Sequence, residues 1–365
     1  MDFVEFLSAS PEDRAGVFEE TAARIGTVPS HVEKDFWVAW TLDLLFDPSR
    51  DGPRMLFKGG TSLSKGYDLI HRFSEDVDLT VFREDLGERF ALERSEISDL
   101  SKTKRKEFVR DLRSACSDFV RSDLTDYITD EARAICRELG WPEHVLGVDA
   151  HTLDDPTVFV RYPSVTPGAS MDDYVRPAVR LEAGARSATD AGRVERIAPY
   201  LASDLEAVGL RTCPVYTISP ERTLWDKIMI LNDDRVVHET TGRIRADGNR
   251  RSRHYYDFAC LATAGMVDEG CSTTRWASEC IEHYRTFWEP RAATKASLLD
   301  GAFDIVPNRE MTECLREDYA AMSEMIFGTP PSFEDVLDAV HSYGDMVAEV
   351  VREAVHEPTA PAMTM

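Results

Sequence analysis

The sequence is short of positive charge: 42 lysines and arginines stand against 66 aspartates and glutamates, for a net charge of −24 over 365 residues. A chain this acidic repels nucleic acid on average, so any RNA contact needs a local basic patch. Long apolar runs are missing too, and none approaches the ~20 residues that a membrane span requires. The N-terminus, Met1-Asp2-Phe3-Val4-Glu5, has no basic segment leading into an apolar core, so no secretory signal is expected. Paired cysteine spacing is absent. Cys116, Cys136, Cys213, Cys260, Cys271, Cys280 and Cys314 are odd in number and scattered. That pattern points to reduced thiols in a cytoplasmic protein rather than to disulfides or zinc. The nine histidines form no ligand pair at helical spacing. The apolar content of 43% is ordinary for a globular chain, and only the last few residues look disordered. The length suits one large domain or two ordinary ones.

What is present is concentrated in residues 55–82. Met55–Phe57 reads as a short strand ending at Gly59-Gly60, where the backbone can turn sharply or approach a ligand. Thr61 or Ser62 is then expected to cap a helix with Leu63, Tyr67 and Ile70 on its apolar face. Free N–H groups at such a helix start suit a phosphate. A second strand follows with Asp76-Val77-Asp78-Leu79. Alternation sends Asp76 and Asp78 to one face and Val77 and Leu79 to the other. Two carboxylates beside a phosphate-binding turn make half of a divalent-metal site, because Mg²⁺ prefers one or two carboxylates plus phosphate oxygens and water. The competing reading is a glycine turn followed by a solvated acidic strand end.

Gly59-Gly60-Thr61-Ser62-Leu63-Ser64-Lys65, followed by Arg72-Phe73-Ser74-Glu75-Asp76-Val77-Asp78-Leu79, resembles the first motif of the AbiEii/AbiGii-type (MenT-like) nucleotidyltransferase toxins. These belong to the DNA polymerase β-like nucleotidyltransferase superfamily. Trp225-Asp226-Lys227-Ile228 and Arg253-His254-Tyr255-Tyr256-Asp257 are similar to later motifs of the same family, in the same order. Asp226 stands where relatives often carry glutamate. The resemblance implies an α/β (α+β) fold: a polymerase β-like core with a mixed sheet, a helical insertion and a helical C-terminal region. It implies catalytic roles for Asp76, Asp78, Lys227 and Asp257, and nucleotide contacts from Gly59, Gly60, Thr61, Ser62, Lys65 and Lys227. Mg²⁺, or Mn²⁺ in its place, would bind Asp76 and Asp78. Related enzymes draw a further carboxylate from a neighbouring strand, and Glu182 is the candidate; its alternative is an edge-strand salt bridge with Arg180. The implied reaction moves NMP from an NTP to an acceptor hydroxyl. Some relatives modify the 3′ end of tRNA, so an RNA acceptor leads, ahead of a protein hydroxyl or a catalytically silent binding protein. The implied partner is a cognate antitoxin.

The rest of the chain frames these motifs. Residues 11–46 read as two helices, the second through Val32, Phe36, Trp40 and Leu44, with Lys34 and Asp35 as surface charges. Helical patterns across about 104–140 are expected to form an insertion between strands of the catalytic sheet, and strand character returns near 158–160 and 175–181. A connector with a short helix near 196–207 leads to Ser219-Pro220-Glu221, which has cap, proline and acid in helix-start order. On that helix Leu224, Ile228 and Leu231 form the buried stripe and Lys227 sits at its border. Asp257 either orients Lys227 or helps deprotonate the acceptor. Trp276, Ile281, Tyr284 and Trp288 are expected in the core, and the acids from Glu334 to Glu353 on a solvated face. Two domains are expected, 1–215 catalytic and 216–365 helical. Two basic clusters are candidates for RNA: Lys102, Lys104, Arg105, Lys106, Arg110 and Arg113 on a helix, and Arg243, Arg245, Arg250, Arg251 and Arg253 in a loop. The loop leads into Asp257, and Arg250, Arg251 and Arg253 are the preferred RNA-binding residues.

Overall fold

The N-terminal helices start where short polar side chains free them to start. Asp2 accepts from the Glu5 N–H to cap α1 (Phe3–Leu7), and Ser10 accepts from the Asp13 N–H to cap α2 (Pro11–Ile25). Gly26, left-handed at φ 73°, ends α2, and Pro29 opens α3 (Pro29–Leu45). Phe3, Phe6, Phe18 and Phe36 then meet as tilted and edge-on rings with centroids 4.8 to 6.2 Å apart. This computed structural model describes residues 2–74, 76–151, 156–166, 176–186, 192–205, 210–244, 250–288, 294, 297–298 and 302–356. Arg245, Glu75 and Val175 of the sequence motifs lie outside those residues.

The chain forms two units, Met1–Ile218 and Ser219–Met365. The division falls after Ile218 rather than after residue 215 because Val215–Ile218 is a strand of the first unit's sheet.

In the first unit the strands are β1 (Met55–Lys58), β2 (Asp76–Val81), β3 (Gly147–His151), β4 (Thr157–Arg161), β5 (Ala178–Gly184), β6 (Gly192–Glu195) and β7 (Val215–Ile218). They make one mixed seven-stranded sheet in the order β3-β4-β5-β2-β1-β7-β6. The central strands place the site: β2 runs antiparallel to β1 and parallel to β5. The short helix α4 (Gly59–Lys65) leaves β1 directly. The insertion between β2 and β3 holds α5 (Arg94–Asp99), α6 (Lys102–Phe119) and α7 (Thr125–Glu138), the last two joined by a π-helical turn at Val120–Leu124. The connector carries a 3₁₀ turn at Tyr200–Ser203 where a short helix was expected.

Two further expectations, one about burial and one about strand position, fail in this unit. Lys34 and Asp35 are buried rather than on a helix surface, as is Glu33 before them. Glu33 accepts from the Val165 N–H at 2.7 Å and from the hydroxyls of Ser164 and Thr166 at 2.5 Å, so helix α3 is buried on its polar side as well. β5 is an interior strand between β4 and β2, not an edge.

In the second unit, α8 (Pro220–Thr241) begins with the Ser219 hydroxyl accepting from the Arg222 N–H and ends at left-handed Gly242. Leu224, Trp225, Ile228 and Leu231 are fully buried along it. Next comes α9 (Ser252–Thr263), and later helices include Arg275–Phe287, Arg309–Met322 and Phe333–His356. Ile281 is buried, but Trp288 is 39% exposed. The helix stops at Phe287 and Trp288 takes an extended conformation, leaving the buried stripe that Phe287 continues. The acids of Phe333–His356 are exposed opposite Val336, Val340, Val347 and Val351.

Candidate active site

The turn after β1 is built to let side chains approach the backbone. Gly59 has φ +84°, and the Asp78 carboxylate fills the space where its Cβ would be. At Gly60 a Cβ would stand 2.6 Å from a guanidinium nitrogen of Arg72. Thr61 Oγ1 donates to the Asp76 carbonyl at 2.6 Å and lies 2.8 Å from Ser74 Oγ, while Ser62 Oγ donates to the Gly59 carbonyl at 2.8 Å. The Thr61 bond fastens the turn to β2, and the Ser62 bond closes the turn on itself. They also correct the expected cap: neither hydroxyl caps a helix, α4 begins at Gly59, and Tyr67 and Ile70 lie past its end at Lys65.

β2 alternates as its pattern demands, with Val77 and Leu79 buried and Asp76 and Asp78 half-exposed. The register sets Asp76 beside Arg180 and Asp78 beside Glu182 of β5, and Lys58 of β1 beside Asp78. One sheet face therefore carries three carboxylates and two cations. Arg180 lies 2.6 Å from Glu182 and 3.7 Å from Asp76, and Lys58 Nζ lies 3.7 Å from Asp78. No cluster of three or more His, Cys, Asp or Glu side chains among the described residues is gathered as an ion cage. The donor chemistry nevertheless fits a hard divalent cation. Carboxylate oxygens share the face, the glycine turn keeps the space beside Asp78 free of a Cβ, and Arg180 and Lys58 are solvent-accessible counter-charges that can move. The salt bridge weighed for Glu182 does form with Arg180, Arg72 was quoted within the first motif without a role, and strand pairing brings Lys58 and Arg180 beside the acids.

Lys65 points elsewhere. Its ammonium is 2.6 Å from Asp35 and 3.7 Å from the centroid of the Tyr200 ring, in a pair only 3% and 5% exposed. Burial lowers the Lys65 pKa and raises that of Asp35, and each partner's charge opposes the shift in the other. The side chain proposed for the nucleotide is thus engaged in holding α4 to α3.

In the second unit, Lys227 Nζ lies 2.7 Å from Asp257 and 3.3 Å from His254 Nδ1. Asp257 is fully buried and Lys227 nearly so. The helical stripe was expected to leave Lys227 at a border; instead α9 covers it, carrying both partners on neighbouring turns. His254 was quoted within the motif without a role. Arg251, read as an RNA contact, is buried and bidentate on Asp234 at 3.0 and 2.5 Å, so its guanidinium faces inward. Arg250 and Arg253 are half-buried.

Charge collected in this way on one sheet face beside a glycine turn belongs to phosphoryl chemistry, and the chain is a nucleotidyltransferase. Its family is more specific. The model of the nucleotidyl transferase AbiEii toxin family, of type IV toxin–antitoxin systems, matches residues 43–339, and the chain belongs to that family. Among solved structures it is similar to MenT4, a nucleotidyltransferase toxin from Mycobacterium tuberculosis H37Rv. That likeness has 14% identity, 94% of each chain covered and a TM-score of 0.48. No curated protein matches it. Among the described residues no helix is long and apolar enough to cross a membrane.

Proposed function

We propose that this toxin transfers NMP from an NTP to a hydroxyl of an RNA, with the 3′ end of tRNA as the acceptor, in the cytoplasm. The observation that carries the reading is Asp76 and Asp78 on one face of β2, against the glycine turn that β1 leads into. Asp76 and Asp78 would hold Mg²⁺, or Mn²⁺ in its place, with Glu182 one strand away. Such an ion neutralises the triphosphate and polarises the phosphoryl oxygens.

The residues of the chain have the remaining tasks. The Gly59–Ser62 turn offers backbone N–H groups to the phosphates, and its hydroxyl bonds hold it rigid against β2. Lys227 supplies positive charge for the triphosphate. Full burial and a 2.7 Å ion pair support Asp257 as the group that orients Lys227 rather than as the base. An acceptor hydroxyl attacks the α-phosphorus and gives its proton to water; the new P–O bond forms as the bond from the α-phosphorus to the α,β-bridging oxygen breaks, and pyrophosphate leaves with that oxygen. Most of the acceleration comes from positioning and charge neutralisation. Arg250 and Arg253 remain the RNA contacts assigned to the second unit.

The test is incubation of the purified protein with each α-labelled NTP, Mg²⁺, and total cellular RNA or protein. Label in RNA is expected, and label lost in Asp78→Asn. Label in protein alone overturns the RNA acceptor, and no transfer from any NTP overturns the enzymatic reading.

A further inference from the structure

The first unit holds a second cationic feature that no stretch of sequence announces. A cleft of about 680 Å³ is lined by Arg24, Lys65, Asp68, Arg196, Tyr200 and Arg211, among others. Its arginines come from the end of α2, the residue after β6 and the approach to β7. Arg24 is fixed as a strut: its guanidinium donates to Asp204 at 2.5 and 2.8 Å and to the Tyr200 carbonyl at 3.0 Å. Lys65 on the cleft wall is neutralised by Asp35. Arg196 donates to the Thr212 carbonyl at 3.2 Å, and among the described residues neither Arg196 nor Arg211 has a carboxylate partner. Both are exposed. On a chain with a net charge of −24, such a concentration of arginine is a local exception.

We propose that this cleft binds the phosphodiester backbone of the RNA acceptor, which rests on the RNA reading above. Guanidinium forks match phosphate oxygens, and exposed arginines on separate elements suit a strand laid across the rim. A small phosphate seated on the floor fits less well. The last turns of α2 and α4 end at the cleft, and helix carboxyl ends carry partial negative charge. The position suits an acceptor as well. α4 starts at the glycine turn and ends at Lys65, and its seven residues span about 10 Å. In the other basic clusters Arg251 is buried on Asp234 and Arg110 of α6 is paired with Asp111 and Glu107, while Lys102 and Lys104 of α6 are exposed, so the α6 lysines are the comparison for the test.

The test uses the full chain, fluorescein-labelled unfractionated tRNA and anisotropy titrations from 50 to 200 mM salt. Arg196→Glu/Arg211→Glu should raise Kd for tRNA by about tenfold or more and flatten the salt dependence by about two counterions. Its KM for NTP and its melting temperature should match those of the unaltered protein. Arg211→Glu alone, which removes no hydrogen bond among the described residues, should show about half the loss of slope and serves if the double variant misfolds. Lys104→Glu/Lys106→Glu is the comparison, expected to change Kd less than about twofold. An unchanged Kd and slope in the arginine variants, or an equal loss in the lysine variant, overturns the cleft. So does displacement of tRNA by inorganic phosphate beyond the effect of chloride at equal ionic strength. If the unaltered protein labels RNA while the arginine variants bind and label it equally well, the cleft fails and the RNA acceptor stands. If the unaltered protein labels only protein, the RNA reading fails first.

Discussion

The acids of β2 and the Lys227–Asp257 pair are both charged, and they are held in opposite ways. Asp76, Asp78 and Glu182 sit half-exposed, with Arg180 and Lys58 at up to 3.7 Å. Ion pairs that open to water contribute ~0–1 kcal/mol each, so their partners can be exchanged for a ligand at little cost. Lys227 and Asp257 are sealed between α8 and α9 at 2.7 Å. There, removing one partner strands a charge. The open face is suited to something that comes and goes, and the sealed pair to something that must stay in one place.

The comparison breaks most visibly at Asp257. Asp257→Ala removes the carboxylate 2.7 Å from the buried Lys227 ammonium, and should cost about 3–5 kcal/mol in urea unfolding along with most of the transfer activity. Lys227→Met/Asp257→Leu should recover most of that stability and none of the activity. If the double variant is as unstable as the single one, the loss does not come from the charge left buried at Lys227. At the other pole, Asp78→Asn should lower kcat by about 10²–10³-fold, as for removal of a transition-state electrostatic contact. Its melting temperature should stay within a degree or two. A fold-wide loss of stability instead would show that Asp78 serves chiefly to pack the Gly59 turn.

A third measurement sharpens the contrast through pH. His31 is stacked on Phe73 with centroids 3.9 Å apart, its Nδ1 is 2.8 Å from Thr27 Oγ1, and its pKa is lowered to about 4, first by burial and then by Lys34. Because the folded pKa lies below the unfolded one, the unfolded state binds the proton more tightly. The stability is present above pH 6.5 and is lost as pH falls towards 4, by up to about 3 kcal/mol. His31→Gln should flatten that window in unfolding curves, and an unaltered slope would assign it to the carboxylates. The smallest effect is expected at Arg180→Gln. Stability should change by less than ~1 kcal/mol, since the pair with Glu182 is exposed. A larger loss would mean that the open face is not open.

How much could be read beforehand divides along one line. Alternation in Asp76–Leu79, the Ser219 cap, and the apolar stripe of α8 are periodic, local signals, and each formed as its pattern suggests. The burial of Lys65, Asp35 and Arg251 was not legible, for a common reason. A charged side chain carries no local mark of whether a partner from 30 residues or a helix away will bury it. Thr61 and Ser62 misled through competition, since their hydroxyls found backbone carbonyls instead of a helix end. β3 and β6 are short, with half or more of each strand exposed or half-exposed, and they had little pattern to show.

By itself the order of residues determined the strand with its two acids, the glycines that precede it, and membership of a nucleotidyltransferase toxin family. Those depend on period-two alternation and on a backbone conformation that only glycine takes easily, both properties of neighbours in the chain. Tertiary structure alone decided which cations face the acids, which lysine is sealed and which is engaged as a brace, and that arginines 24, 196 and 211 share one cleft. Charge acts through space, and the distances that set its strength exist only once strands from remote positions have paired.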